Sequence, residues 1–329
     1  MTMTDFNSRN MRMWSMLGQR GAFFVSAIFD VVEKHEETMM LTADLAYLSG
    51  LDRFIQKYPE KFLNVGIAEQ NMLGIAAGLS QEGKTVFVTT YATFISMRSC
   101  EQIRHYLGYM KSNVKVVGTG AGLVMTYSGN THYTIEDIAV LRAIPNIVIL
   151  SPADATEAVK VALAVAEYNG PVYIRLTGSL NMPMVYKEDY DFEIGKAITI
   201  TNEGNITVFA TGSMVYNSLQ AAKILKEKGI IVRVVNIHTI KPLDKECIDE
   251  KLQKSKLFVS VEEHNTIGGL GGAIAEYISF QPNQIPLLRL GIADTFRRAG
   301  EYNYLLGENG LLPEQIAESI EKAYSSFVD

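Results

Sequence analysis

The first half of the chain alternates short apolar runs with longer stretches in which small and apolar residues recur at helical spacing. The short runs predict buried strands, and the longer stretches predict helices. Predicted strands lie at 38–42, 85–89, 114–117, 147–150 and 172–176, and predicted helices at 22–32, 69–81, 94–109, 135–143 and 155–169. Short buried strands that alternate with helices are typical of a parallel sheet covered on both faces.

The pattern is interrupted at residues 186–191, which are charged and aromatic and contain few strong structure formers. We interpret this stretch as a linker between a domain at 1–187 and a second at 192–329. The second domain resumes the pattern, with strands predicted at 206–210, 230–235 and 257–261 and a helix at 215–228. The chain is therefore predicted to be α/β, with two domains that each contain a mostly parallel sheet flanked by helices.

A glycine cluster at 268–272 opens a further predicted helix and could indicate a phosphate-binding loop, since backbone amides at a helix start bind anions. The spacing does not fit Gly-x-Gly-x-x-Gly, because Ile274 stands where the last glycine would fall. No Lys-Ser or Lys-Thr pair follows it. Close packing between a strand and a helix is the better explanation.

Composition narrows the class of protein. The 329 residues are 47% hydrophobic, which is enough for full cores, and the net charge is −6 without a long basic run. Nucleic acid is therefore not an expected partner, and no apolar stretch reaches the roughly 18 residues of a membrane span. Residues 1–12 lack the apolar block of a secretory signal, and Cys100 and Cys247 are too few for a disulfide framework. We expect a cytoplasmic protein without a membrane partner.

Residues 64–79 form a glycine- and alanine-rich run in which Glu69 is the only charged side chain. A carboxyl group in such surroundings is poorly solvated and binds a proton more readily than one in water, which suits acid–base chemistry. Alternatively, Glu69 complements the positive end of a helix dipole in the first turn. Taken alone, this run leaves both interpretations open.

Seven short segments, at 42–45, 66–70, 89–94, 129–132, 142–146, 151–154 and 171–175, occur in one order along the chain. They read Thr-Ala-Asp-Leu, Gly-Ile-Ala-Glu-Gln, Thr-Thr-Tyr-Ala-Thr-Phe, Gly-Asn-Thr-His, Arg-Ala-Ile-Pro-Asn, Ser-Pro-Ala-Asp and Pro-Val-Tyr-Ile-Arg. Together they resemble the C-terminal half of transketolase, which comprises a pyrimidine-binding domain and a C-terminal domain. Any one segment would be weak evidence, but the ordered set is specific.

The resemblance implies that the cofactor is thiamine diphosphate, whose aminopyrimidine is activated by a carboxyl group hydrogen-bonded to a ring nitrogen. Glu69 matches that carboxyl group. Tyr91 and Phe94 match aromatic residues that pack on the pyrimidine. Asp44 matches an acidic residue close to the cationic thiazolium, and Leu45 beside it is assigned to cofactor binding. Without the resemblance, the two aromatic residues would be interpreted as ordinary core residues and Asp44 as a helix cap.

The resemblance also implies residues that bind the substrate. His132 matches a histidine that contacts the substrate near the reacting carbonyl and can move protons. Arg20 and Arg175 match two arginines that grip a sugar phosphate, since a guanidinium fork suits phosphate oxygens. Ser49 lies one residue from the position of a phosphate-binding serine. The alternatives are a loop histidine and surface ion pairs.

Two departures from transketolase bear on the substrate. Gly120 stands where a second histidine would contact the sugar phosphate, and Ser128 stands where an acidic residue would bind a sugar hydroxyl, with Asn130 in place of the neighbouring proline. The substrate predicted from the sequence therefore need not be one of the familiar pentose and hexose phosphates. An unusual sugar, either nucleotide-linked or unphosphorylated, is the alternative.

A third departure is that the chain contains no Gly-Asp-Gly segment, through which transketolases hold a divalent metal. We therefore expect no metal ligands in this chain. The resemblance implies a partner, an N-terminal transketolase subunit whose diphosphate-binding domain holds Mg²⁺ or another divalent metal. Two such chains with two partners would form a heterotetramer of closed symmetry.

The predicted function is that of the C-terminal subunit of a two-component transketolase, an enzyme that moves a two-carbon ketol unit and is active only with its partner. A 1-deoxy-xylulose-5-phosphate synthase-like carboligase and the beta subunit of a 2-oxo-acid dehydrogenase are enzymatic alternatives. The segments at 43–45 and 131–132 favour transketolase. The alternative from another class is a non-catalytic regulatory partner subunit.

Overall fold

The computed structural model describes residues 3–178 and 180–328. Strands and helices alternate through most of this range. The strands are β1 (Thr38–Thr42), β2 (Phe62–Asn64), β3 (Thr85–Tyr91), β4 (Val114–Thr119), β5 (Val148–Leu150), β6 (Val172–Arg175), β7 (Ile198–Thr201), β8 (Ile206–Ala210), β9 (Val232–Asn236), β10 (Thr239–Lys241), β11 (Leu257–Asn265) and β12 (Leu287–Ile292).

The α-helices are α1 (Ser8–Gly21), α2 (Ile28–Lys34), α3 (Ala46–Ser49), α4 (Asp52–Lys57), α5 (Glu69–Gln81), α6 (Cys100–Gln102), α7 (Asp137–Arg142), α8 (Ala155–Glu167), α9 (Met214–Glu227), α10 (Lys245–Leu252), α11 (Leu270–Ile278), α12 (Tyr302–Glu308) and α13 (Pro313–Val328). Three further segments, Ala22–Ala27, Phe94–Arg98 and Ile103–Tyr109, are π-helical. Over the described residues, no helix has the length and apolar character needed to cross a membrane.

The first sheet has seven strands in the order β10-β5-β6-β4-β3-β1-β2. Its strands are parallel except β10, which runs antiparallel to β5. β10 follows the predicted linker, so a segment of the second domain completes the sheet of the first. The second sheet has five strands in the order β12-β11-β8-β9-β7, of which only β7 is antiparallel to its neighbour. The predicted fold class is confirmed.

Alternate side chains of β3 show how the first sheet is buried on both faces. Phe87 is fully buried beside Phe23, in the core cluster on the face covered by α1 and α8. Val86 and Val88 belong to the core cluster of α5 on the other face. An uncharged strand buried on both faces is what a helix-covered parallel sheet requires.

Most predicted elements form close to their expected bounds, and β1, β8 and α5 match them fully. The helix predicted at 94–109 is instead divided into the two π-helical segments and α6. The elements that were not predicted are helices α1, α3, α4, α10, α12 and α13, the short strand β2 and the edge strands β7, β10 and β12. The domain limits at 187 and 192 stay a prediction.

The residues predicted as a linker have no regular structure, yet their tyrosines lie at the contact between the domains. The rings of Tyr186 and Tyr190 stack with centroids 4.0 Å apart. The Tyr190 hydroxyl donates to Glu157 Oε1 over 3.1 Å, and Asn236 Nδ2 of β9 donates to the same atom over 2.9 Å. Glu157 belongs to α8, so this cluster ties the linker to both domains.

The glycine cluster is explained by close packing, as predicted. A Cβ atom on Gly269 would lie 2.0 Å from Glu262 Oε2, and one on Gly271 would lie 2.4 Å from Ser260 Oγ. The Glu262 carboxylate accepts the backbone N–H groups of Leu270 and Gly271 over 2.6 and 2.8 Å. A side-chain carboxylate of the chain itself therefore occupies the start of α11.

Candidate active site

The predicted site residues follow neighbouring parallel strands of the first sheet. Asp44 follows β1, Glu69 follows β2, Tyr91 ends β3 and Gly120 follows β4. The carboxyl ends of parallel strands meet at one edge of a sheet, and open α/β sheets bind ligands in the crevice outside that edge. The topology therefore places these residues along one edge of the sheet.

Glu69 is the first residue of α5, and its side chain is 6% exposed. Its Oε1 atom accepts a hydrogen bond from Arg98 Nη1 over 2.8 Å. A cavity of about 440 Å³ opens beside this pair and is lined by residues 67–71 and Arg98. The position at the helix start agrees with the dipole interpretation, and the cavity beside a buried carboxylate agrees with the chemical one.

An aromatic cluster lies next to this carboxylate. The ring centroids of Tyr91 and Phe94 are 5.6 Å apart, and the His132 ring lies 5.9 Å from Tyr91 and 5.2 Å from Phe94. His132 Nδ1 is 2.9 Å from Thr131 Oγ1. The structure thus brings together three of the predicted residues in one half-buried group of rings.

Arg98 links Glu69 to this cluster, and sequence reasoning missed it. Its guanidinium carbon lies 3.8 Å from the centroid of Phe94 while Nη1 donates to Glu69. The available signal was its spacing, four residues after Phe94 on a predicted helix.

Asp44 lies in an exposed loop with φ of 60°, a left-handed conformation that few residues except glycine, asparagine and aspartate adopt. Asn64, at the end of β2, fixes this loop. Its Oδ1 atom accepts the N–H groups of Asp44 and Gly66, each over 3.0 Å, and its Nδ2 atom donates to Asp44 Oδ1 over 3.2 Å. Leu45, the next residue, is half-buried and donates its N–H to Thr42 Oγ1 over 3.3 Å. Asn64 therefore joins the loop of Asp44 to the loop that leads into Glu69, a role that its sequence position did not reveal.

Arg20 and Tyr91 line a second cavity of about 220 Å³. Arg20 is exposed, yet the protein atoms around its guanidinium partly desolvate it and lower its pKa, whereas Tyr91 acts in the opposite direction. Arg20 is the one charged side chain among the described residues that line this cavity, and the rest of the wall is mostly apolar: Leu17, Val124, Met125, Leu176, Leu180.

Gly120 also lines this cavity and explains one departure from transketolase. Its φ is +67°, and an added Cβ would lie 2.8 Å from Met125 Sδ. A histidine here would need both a strained backbone and a displaced Met125. The backbone conformation and the neighbouring Met125 therefore both favour glycine at position 120.

Arg175 lies elsewhere and is 1% exposed. Its guanidinium pairs with Asp137 over 2.9 Å and donates to the backbone carbonyls of Thr134 and Glu263 over 3.0 and 2.9 Å. These partners hold Nε and Nη2 inside the protein, which favours a structural role for Arg175, and the contact with a substrate phosphate stays a prediction. Ser49 is also 1% exposed, at the end of α3, and its phosphate contact likewise stays a prediction.

Within the described part of the chain, no group of three or more histidine, cysteine, aspartate or glutamate side chains is arranged to hold a metal ion. A thiamine-type ring fits the site on two observations. The face of Phe94 already carries a flat, charged group, the Arg98 guanidinium. The buried carboxylate of Glu69 accepts a hydrogen bond from the same guanidinium.

Comparison with known proteins gives the class that this fold and site define. The family models for the pyrimidine-binding domain and the C-terminal domain of transketolase match residues 21–183 and 195–316. A protein of Methanocaldococcus jannaschii described as a transketolase C-terminal section is 43% identical over 89% of this chain and 92% of its own length. The chain belongs to the transketolase family.

Within that family, the chain resembles separately encoded C-terminal subunits. A 6-deoxy-6-sulfo-D-fructose transketolase subunit of Clostridium sp. strain MSTE9 is 36% identical over 90% of this chain and 91% of its own length. A solved structure described as a split gene transketolase, inactive beta4 tetramer, is 36% identical, with a TM-score of 0.84 over 94% of this chain and 98% of that one.

Proposed function

We propose that the chain is the C-terminal subunit of a two-component, thiamine-diphosphate-dependent transketolase that transfers a two-carbon ketol unit between sugars or sugar phosphates. The observation that carries the proposal is the buried carboxylate of Glu69 beside the rings of Tyr91, Phe94 and His132, at the carboxyl edge of a parallel sheet. Separately encoded relatives of similar length support the two-component form.

Glu69 is the proposed activator of the cofactor. Its carboxylate would accept a hydrogen bond from a pyrimidine ring nitrogen, while Phe94 and Tyr91 pack on the ring. When bound, thiamine diphosphate would supply the nucleophilic carbon of the reaction. Asp44, with Leu45 beside it, would place a negative charge near the cationic thiazolium.

His132 is the proposed proton-transfer residue at the substrate. It belongs to the aromatic cluster, and the ring nitrogens of an imidazole can serve as hydrogen-bond donor and acceptor toward a substrate oxygen. Arg20 would hold one anionic group of the substrate, since it is the charged side chain lining the smaller cavity. This single cation favours a substrate with one anionic group.

Exposed apolar side chains around the site support a protein partner. Tyr47, Leu48, Leu63, Ile67 and Met97 are all exposed, and Ile67 is two residues from Glu69. An N-terminal subunit covering this surface would bring the diphosphate site, Mg²⁺ or another divalent metal, and a water-free environment. A heterotetramer of two chains of each kind is the proposed assembly, and a cytoplasmic location stays part of the proposal.

Reconstitution with an N-terminal subunit tests the proposal. We expect ketol transfer from ketose phosphates or sulfonated ketoses and no turnover of pyruvate or branched 2-oxo acids. Release of CO₂ from pyruvate would favour the carboligase alternative, and oxidation of branched 2-oxo acids the dehydrogenase alternative. The chain alone should bind thiamine diphosphate and Mg²⁺ poorly, and tight binding by calorimetry would contradict the divided site.

Substitution of Glu69 tests the catalytic role. Glu69→Gln should lower kcat/KM of the complex by about 100-fold or more, the range of positioned acid–base groups. Glu82→Gln, an exposed residue just after the same helix, is the matched control and should leave turnover unchanged. Full activity of Glu69→Gln would favour the regulatory alternative.

A further inference from the structure

Arg98 makes the two contacts that the proposed function assigns to the cofactor's pyrimidine. Its planar guanidinium lies over the face of Phe94, with the central carbon 3.8 Å from the ring centroid. One N–H of the same group donates to Glu69 Oε1 over 2.8 Å. A flat, donor-bearing group therefore lies on the aromatic ring and on the carboxylate together.

The backbone of Arg98 is held by a hydrogen bond, whereas its side chain is half exposed and can move into solvent. Phe94 and Arg98 are the two ends of a π-helical segment, whose wider turn brings side chains four residues apart nearly one above the other. Gln70 Nε2, one residue after Glu69, donates to the Arg98 carbonyl over 3.0 Å. The Arg98 side chain is 49% exposed, whereas that of Glu69 is 6% exposed, so the guanidinium can leave toward solvent without unfolding the segment.

We propose that Arg98 is a surrogate ligand that occupies the pyrimidine subsite of the free subunit and leaves it when the cofactor binds. This inference rests on the proposed function. In the free chain, the guanidinium keeps the buried carboxylate paired and the face of Phe94 covered. The subsite is thereby held in its binding shape, and the cofactor must displace the arginine.

Displacement lowers cofactor affinity by the strength of the contacts that are lost. A half-exposed ion pair and one cation–π contact together correspond to about a tenfold change in affinity. Arg98→Met keeps a long apolar side chain but can neither pair with Glu69 nor donate a hydrogen bond. Arg98→Lys keeps the charge without the planar group.

Calorimetric titration of the two-subunit complex with thiamine diphosphate and Mg²⁺ tests the inference by binding alone. Arg98→Met should lower the Kd of the cofactor about tenfold, and Arg98→Lys should fall between it and the native complex. Arg104→Met is the matched control, because Arg104 is exposed on the next π-helical segment and bonds to His105 instead. Its Kd should equal that of the native complex.

Thermal unfolding of the chain without its partner gives a second readout. Arg98→Met should lower the midpoint of the free chain because Glu69 is left buried and unpaired, and the double variant Glu69→Gln, Arg98→Met should recover part of that loss. An unchanged or raised cofactor Kd in Arg98→Met would overturn the inference and show that Arg98 stays on Glu69 in the loaded site. A native complex that binds no cofactor would instead overturn the proposed function together with this inference.

Discussion

Two buried carboxylates of the first domain, Glu69 and Glu157, have opposite surroundings. Glu69 borders a cavity and has one side-chain partner, Arg98, which is half exposed. Glu157 is fully buried and accepts hydrogen bonds from the Ala153 N–H, from Asn236 and from Tyr190. The partners of Glu157 come from the linker and both domains, so that carboxylate holds the structure together. A carboxylate with one removable partner remains available for a ligand.

The same contrast separates the two arginines that were expected to bind a phosphate. Arg20 lines a cavity, whereas Arg175 donates hydrogen bonds to Asp137 and to two backbone carbonyls inside the protein. We therefore assign Arg175 to the connection between the domains. The following predictions test this division between structural and functional charges.

The largest effect is expected from Arg175→Leu. Removing one partner of a buried ion pair leaves Asp137 uncompensated, which typically costs about 3–5 kcal/mol of unfolding free energy. Urea unfolding of the chain measures this loss. Lys228→Met, which breaks the exposed pair with Glu321, is the control and should cost about 1 kcal/mol or less. A raised KM with unchanged stability in Arg175→Leu would support the phosphate-binding role.

The second prediction concerns the pH dependence of stability at the domain contact. Burial raises the pKa of Glu157 from 4.5 to about 7. Because the folded-state pKa is the higher one, the stabilising contribution is complete below about pH 4.5 and is lost as the pH rises through about 7. We expect Glu157→Gln to remove a fall of the order of 3 kcal/mol in unfolding free energy across this range.

Several other carboxyl groups titrate in the same direction and set the background of this experiment, since burial also raises the pKa of Glu263 and of Glu136. Burial raises the pKa of Asp154 to about 6 and that of Glu262 to about 7. The Glu157→Gln variant should therefore keep part of the pH dependence. Glu188→Gln, an exposed substitution in the linker, should keep all of it. An identical pH profile of Glu157→Gln and the native chain would refute the assignment.

The smallest effect is expected from Asn64→Ala at the edge of the open site. The substitution removes three hydrogen bonds that join the loops of Asp44 and Glu69. Because these loops are exposed, we expect a loss of about 1 kcal/mol in unfolding free energy, with weaker cofactor binding by the complex. Asn283→Ala, in an exposed loop of the second domain, is the control. Unchanged cofactor affinity would show that the hydrogen bonds of Asn64 play no part in the site.

Sequence reasoning succeeded where the signal was local. Periodicity gave the fold class and the bounds of α5, and short ordered segments brought out Glu69, Tyr91, Phe94 and His132, which the structure places together or side by side. Their catalytic and binding roles stay predictions.

Sequence reasoning failed where a partner lies far along the chain. Asp137 and Glu263 are 38 and 88 residues from Arg175, so nothing near Arg175 shows that its donors are occupied. Arg98 was missed for the same reason: its spacing from Phe94 is common on any helix, and its partner Glu69 is 29 residues away along the chain.

Strand β10 makes the sheet of the first domain depend on a segment of the second. It belongs to the C-terminal half of the chain yet forms the outer edge of the first sheet by pairing with β5. A protease cut within residues 186–191 would therefore leave the two fragments associated through shared backbone hydrogen bonds. During synthesis, the first sheet stays one strand short until the ribosome has passed residue 241. The first domain therefore completes its sheet only when part of the second has been made.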